Sequence, residues 1–304
     1  VTPSNHSGSS RADGAGAGNL KLRVVSAAVL APFTLAVTYA GGWLFVALCT
    51  ISAGVILWEW TALVSRRADA RILAPGWAAL IAAAVLTGFR LASEAWAAIA
   101  IGALFASLLV AILPRAEGEA ASADGTSEET AASAIWAAGG VIYAGTLLLA
   151  PAMLRGDPDW GLTALLFLFA DVWVTDIAAY FCGRAIGGPL LWREVSPKKT
   201  WSGAIGGLAG GVAASVAVAY ASGIGKLGIV GVMAFVLSIL AQGGDLFESA
   251  VKRRVGAKDA SHLIPGHGGL MDRLDGFLVA ALVALLIGII RQGTAAPARG
   301  LLIW

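Results

Sequence analysis

The chain has 304 residues, 58% of them hydrophobic and only 13% charged, with a mean hydropathy of +0.79. A soluble domain carries about 25% charged residues, so this composition excludes most soluble folds and any disordered chain, and points to one polytopic membrane domain. The 21 Lys and Arg nearly balance the 19 Asp and Glu, and a net charge of +2 leaves no basic excess of the kind that binds nucleic acid.

Residues 1–20 are rich in Gly, Ser and Ala and read as a disordered, solvated tail. From Val24 to Val64 the only charge is Glu59. A helix crosses a bilayer with about 20 mostly apolar residues, so this run predicts two spans hinged at Gly41-Gly42. Lys21 and Arg23 could flank a signal peptide. No cleavage-like site leads into a soluble domain, however, so the first span is expected to be a retained helix. Further spans are expected at about 75–92 and 95–113, completing an N-terminal membrane region over 21–114. Residues 115–133 carry Glu117, Glu119, Asp124, Glu128 and Glu129 among small residues and read as an acidic flexible loop.

The C-terminal region, 134–304, predicts spans at about 134–154, 161–183, 204–223, 227–244 and 276–290. The expected fold is therefore an all-α polytopic integral membrane protein of about nine transmembrane helices. Of the 21 Lys and Arg, Arg90, Arg155, Lys226, Arg291 and Arg299 fall on one side of this topology and the other sixteen on the opposite side. Basic residues favour the cytoplasmic side, which puts the N-terminus inside the cell membrane. No internal repeat is evident, so the inverted-repeat plan of many transporters lacks support. Cys49 and Cys182 sit in apolar runs and form neither a disulfide framework nor a zinc pattern.

Ionisable residues at membrane depth are expensive and mark function by default. Here they gather in two inward-facing stretches. In the first, Asp176, Tyr180, Gly183 and Arg184 follow i, i+4, i+7, i+8 and share one helical face. Ser196-Pro197-Lys198-Lys199-Thr200 comes next, expected as a loop because Pro197 stops a helix. Its lysines and hydroxyls suit phosphate, or the lysines serve as a positive-inside anchor. In the second stretch Asp245, Glu248, Ser249 and Lys252 share a helical face, and Asp272 and Asp275 open the last span beside Arg273. Two facing carboxylates make a natural site for a hard cation such as magnesium, which takes oxygen ligands and shares them with phosphates. The alternative is ordinary ion pairing with Lys252, Arg253 and Arg273. Pro265-Gly266-His267-Gly268-Gly269, between the two helices, lets backbone approach a ligand and offers N–H groups to an anion. His267 is a phosphate contact, a proton donor or a local hydrogen bonder. Glu59 either packs the helices or faces the polar cavity.

Residues 249–275 carry a longer pattern: Ser249-Ala250-Val251-Lys252-Arg253, then Lys258-Asp259, Ser261, Ile264-Pro265, His267-Gly268-Gly269-Leu270 and Asp272-Arg273-Leu274-Asp275. It resembles the signature of the phosphatidate cytidylyltransferases (CDP-diacylglycerol synthases), with every constrained position filled. Asp176, Tyr180-Phe181, Gly183-Arg184 and Ser196 to Trp201 resemble the same family, and Lys21, Arg23, Pro32 and Glu59-Trp60 do so more weakly. One departure is Ser202, where the family usually has Glu.

The resemblance implies transfer of a cytidylyl group from CTP to phosphatidate at the inner membrane face. It implies a metal centre on Asp245 and Asp272, with magnesium as the essential ion and potassium as a candidate second one. Lys252, Lys258 and Asp259 join these aspartates as the catalytic set. Asp176, Tyr180, Arg184, Ser196, Lys198, Lys199, Thr200, Ser249, His267, Gly268, Gly269 and Arg273 form the implied substrate site. The resemblance also implies a homodimer. A cation-coupled transporter, a catalytically dead relative serving as a membrane scaffold, and a nucleotidyltransferase for another lipid phosphate are the rival readings. A transporter would keep its ligands near the midplane, whereas here they crowd at one surface.

Overall fold

In hydrocarbon every backbone N–H and C=O must be paired within its own segment, so apolar runs become helices. The computed structural model describes residues 10–113, 127–261, 263–264 and 268–304. Among these the chain forms ten helices and one β-hairpin: α1 (Ser10–Ala40), α2 (Gly42–Ser65), α3 (Ala70–Gly88), α4 (Ala92–Ile112), α5 (Ser127–Arg155), α6 (Gly161–Ile186), β1 (Leu190–Trp192), β2 (Ser196–Thr200), α7 (Trp201–Ala221), α8 (Leu227–Arg254), α9 (Met271–Gln292) and α10 (Pro297–Leu302). Helices α2 to α9 are each long and apolar enough to cross a membrane, and the apolar part of α1, Val25–Ala40, is shorter. The fold is that of the expected polytopic all-α membrane protein.

Several boundaries differ from the hydropathy reading. Helix α1 begins at Ser10, inside the stretch expected as a tail, and α5 begins at Ser127, inside the expected acidic loop. Helix α8 runs to Arg254, well past residue 244. The charges after 244 end the apolar run but continue one helical face, so the helix has no reason to stop. The segment expected as a loop around Pro197 is an antiparallel hairpin, with Leu190 opposite Thr200 and Trp192 opposite Ser196. Pro197 lies on β2, a strand with only one partner, where a missing N–H is tolerated.

Helix α5 runs through the middle of the bundle. Leu147, Leu148, Leu149 and Ala150 are consecutive and all buried, so this turn is enclosed on every side. At its end, Arg155 donates from Nε to the Thr38 carbonyl at 2.7 Å and from Nη2 to the Tyr39 carbonyl at 3.0 Å. Those are orphan carbonyls at the end of α1, and the guanidinium lies over Gly41, whose φ of 65° turns the chain into α2. Asp157 accepts the backbone N–H groups of Asp159, Trp160 and Arg299, joining the starts of α6 and α10.

The α6–α7 pair is the closest in the bundle. Gly203, Gly207 and Gly211 recur every four residues along α7, followed by Ser215 in the same row, and all four are buried. A Cβ on Gly203 would stand 2.8 Å from the Ala179 carbonyl oxygen, and one on Gly207 would stand 2.7 Å from that of Thr175. Small residues at this spacing let two membrane helices touch backbone to backbone. That contact holds the polar stripe of α6 beside the hairpin.

Candidate active site

A cavity of about 1000 Å³ opens between α1, α2, α6, α8, α9 and the hairpin. Its floor is polar: Asp176, Arg184, Lys199, Asp245, Asp272 and Arg273 all line it. Its flank is apolar, with Leu30 and Phe33 from α1, Phe45 and Leu48 from α2, and Phe169 and Trp173 from α6. Leu30 and Phe33 are also exposed on the outside of the bundle.

Each acidic residue on the floor is held by a different element. Asp245, on α8, is ion-paired with Lys199 of β2 and accepts the Ser249 hydroxyl at 3.4 Å. Asp272, in the first turn of α9, accepts the N–H groups of Gly269 at 2.8 Å and Ala260 at 3.1 Å. Lys252 reaches Asp272 at 2.5 Å and Glu248 at 2.6 Å from one ammonium, so it ties α8 to α9. With only 10%, 1% and 7% of the three side chains exposed, this triad is shielded from water, and its ion pairs are screened far less than surface ones. Asp275 lines the same cavity and accepts the N–H of Gly276 at 2.7 Å.

Gly268 and Gly269 allow this approach. Gly268 has φ 85°, a conformation that favours glycine, and a Cβ on Gly269 would stand 2.8 Å from Glu59 Oε1. Glu59 is fully buried and does not line the cavity. Its Oε1 accepts the Ser261 hydroxyl at 2.6 Å and the Leu270 N–H at 2.9 Å, and Oε2 accepts the Met271 N–H at 2.6 Å. The carboxylate therefore sits at the N-terminus of α9, where orphan N–H groups and the helix dipole favour an anion. Of the two roles open in the sequence, Glu59 has the packing one.

The α6 stripe is as the spacing predicts. Asp176, Tyr180, Gly183 and Arg184 all face the cavity, with Arg184 Nη1 3.4 Å from the Tyr180 hydroxyl. On the hairpin, Lys198, Lys199 and Thr200 line the cavity. Thr200 also caps α7 by accepting the Gly203 N–H at 3.1 Å. Ser202 donates to the Gly187 carbonyl at 2.5 Å and lies 3.0 Å from the Thr200 hydroxyl. It therefore pins the end of α6 to the start of α7.

Of these residues, Lys252, Gly268, Gly269, Asp272, Arg273 and Asp275 lie in the segment whose sequence pattern is most specific, and Asp176, Arg184, Lys199 and Asp245 lie upstream of it. A model of the cytidylyltransferase family matches residues 21–290. The chain belongs to the cytidylyltransferase family. Relatives bearing the name phosphatidate cytidylyltransferase, from Brucella suis and Brucella melitensis, are each 44% identical over 274 and 277 residues, covering 90% of this chain and 94% of theirs. One from Haemophilus influenzae is 43% identical over 145 residues, 45% of this chain and 49% of its own.

Not every residue that the cytidylyltransferase resemblance implicates reaches the cavity. Lys258 and Asp259 are exposed and stand outside its lining, as does Ser196 on β2. Ser249 touches the floor only through Asp245. Gly268 and Gly269 lie behind Asp272 rather than on the open surface. His267 lies outside the described residues. Conversely, the apolar flank from α1 and α2 and the anchoring by Glu59 are not evident from the motifs. The available signal for Glu59 is its isolation as the single charge between Val24 and Val64.

Proposed function

We propose that this chain transfers the cytidylyl group of CTP to phosphatidate, releasing pyrophosphate and leaving CDP-diacylglycerol in the membrane. The observation that carries this reading is the single cavity with a charged floor and an apolar flank. A nucleotide triphosphate needs the first and an acylated phosphate needs both. The names borne by the Brucella relatives agree with it. The gathering of lysines, glycines and carboxylates at the hairpin end speaks against a transporter.

In this reaction a phosphate oxygen of phosphatidate forms a bond to the α-phosphorus of CTP, and the bond from that phosphorus to the bridging oxygen of pyrophosphate breaks. A phosphomonoester is already an anion at neutral pH, with a second pKa of about 6, so attack needs no general base from the protein. The difficulty is repulsion between two anions. Lys198, Lys199, Arg184 and Arg273 supply fixed positive charge around the floor, where a site partly shielded from water strengthens it. The apolar flank takes the glycerol end and the start of the acyl chains.

Magnesium fits the donor set. Asp245 and Asp272 offer hard oxygens, and each already stabilises a lysine ammonium. Among the described residues no three His, Cys, Asp or Glu side chains stand together at ligand spacing, so an ion there would share phosphate oxygens and water, as magnesium commonly does. When bound it supplies charge to the transferring phosphoryl group. Potassium is the candidate second ion, on the strength of the resemblance alone. The basic-residue asymmetry supports placing this end of the bundle at the cytoplasmic face, and the resemblance carries a homodimer.

The test is turnover by the detergent-purified chain with CTP, phosphatidate and magnesium, with EDTA as control, following product by mass. Magnesium-dependent CDP-diacylglycerol is expected. Folded protein that makes none overturns the reaction. Asp272→Asn should lower turnover by at least ~100-fold, the scale of losing a preorganised transition-state charge. Wild-type turnover in that variant sinks the metal assignment.

A further inference from the structure

A second, smaller cavity, about 270 Å³, lies at the opposite end of the bundle from the hairpin. It is built where α2 begins and where α3 and α5 end, and Trp43, Thr87, Arg90, Arg155 and Asp157 line it. The resemblance and the proposed reaction make no use of it.

Its chemistry suits an anion. Arg90 has φ 62°, an uncommon left-handed conformation for a long side chain, and its guanidinium makes no hydrogen bond or ion pair among the described residues. Arg155 brings a second guanidinium, two of whose nitrogens are spent on the α1 carbonyls. Asp157 is the one acid in the lining, and both its oxygens already accept backbone N–H groups. The first N–H groups of α2 have no intrahelical acceptor, and this helix end favours negative charge.

We propose that this cavity holds the phosphate of a phospholipid head group, on the membrane face opposite the cytidylyl-transfer site. Room for a phosphate but not for a whole lipid means the chains lie outside. The rim provides for them: Trp43, Leu44, Phe89 and Leu91 are large, apolar and exposed, and Trp43 meets Phe89 edge to face at 5.9 Å. A free phosphate ion shares the head-group chemistry but has no use for that rim.

The test is native mass spectrometry of the full chain in detergent, with phosphatidylglycerol, phosphatidylcholine or inorganic phosphate added. Wild type should retain one phosphatidylglycerol that Arg90→Gln retains at least about 5-fold less. Arg90 is exposed and outside the larger cavity, so Arg90→Gln should keep its fold and its turnover, while Asp272→Asn should keep this lipid. Equal retention by wild type and Arg90→Gln overturns the site. Loss of the lipid in Asp272→Asn places it in the larger cavity instead. Displacement of the lipid by millimolar inorganic phosphate makes it a free-anion site and overturns the lipid assignment.

Discussion

Glu59 on α2 and Met271 on α9 are 212 positions apart, and the Glu59 carboxylate accepts the Met271 N–H at 2.6 Å. With the Leu270 N–H and the Ser261 hydroxyl it takes three donors in all. The loop that supports Asp272 is thus hung from a helix in the N-terminal half. Glu59→Gln keeps the volume but gives one acceptor oxygen in place of two and turns an N–H toward a donor. The expected cost is about 1–3 kcal/mol, read as a lower Tm in detergent, with turnover falling as well. An unchanged Tm would show that the loop holds itself.

Lys252 is the cation between Glu248 and Asp272. Lys252→Met leaves two shielded carboxylates without it. Breaking a buried ion pair by removing one partner costs about 3–5 kcal/mol. Adding Glu248→Gln to Lys252→Met should recover part of that loss, because it removes one uncompensated charge. Additive losses in the double variant, measured by thermal unfolding, would contradict the triad.

Ser202 is the one departure from the pattern that the resemblance leads one to expect, a Glu, and its hydroxyl donates to the Gly187 carbonyl. Ser202→Ala removes a bond worth about 0.5–1.5 kcal/mol. It should raise the KM for CTP by roughly 2- to 10-fold with little change in kcat, because the hairpin carrying Lys198 and Lys199 loses a tether. Ser202→Glu should act in the same direction, since a carboxylate has no proton for that carbonyl. A rise in activity with Ser202→Glu would mean the departure is a defect, and no change would mean the position is permissive.

Gly207→Ala tests the α6–α7 contact. The added Cβ would lie 2.7 Å from the Thr175 carbonyl oxygen and 2.9 Å from the Ala179 Cβ, so one helix must move. Overpacking of this kind costs about 1–3 kcal/mol. Gly228→Ala, on α8, meets nothing within 4 Å and serves as the control. Equal Tm values for the two variants would refute the close approach.

The sequence by itself determined the class of fold, because hydrocarbon leaves an apolar run of some 20 residues almost no option but a helix. It also determined the α6 stripe, since Asp176, Tyr180 and Arg184 are related by helical spacing alone. Its boundaries failed where charge and helix stop separately: α8 outlasts its apolar run by ten residues, and β2 passes through Pro197. Only the tertiary structure decided which charge meets which. Lys199 reaches Asp245 across 46 residues, and Glu59 reaches Leu270 across 211. Pattern along one chain reports local periodicity, and no such period links residues on different helices. The apolar flank of the cavity is hidden for the same reason. Leu30, Phe45 and Phe169 read as ordinary membrane-span residues, and only the packing of α1, α2 and α6 leaves them around a space instead of against one another.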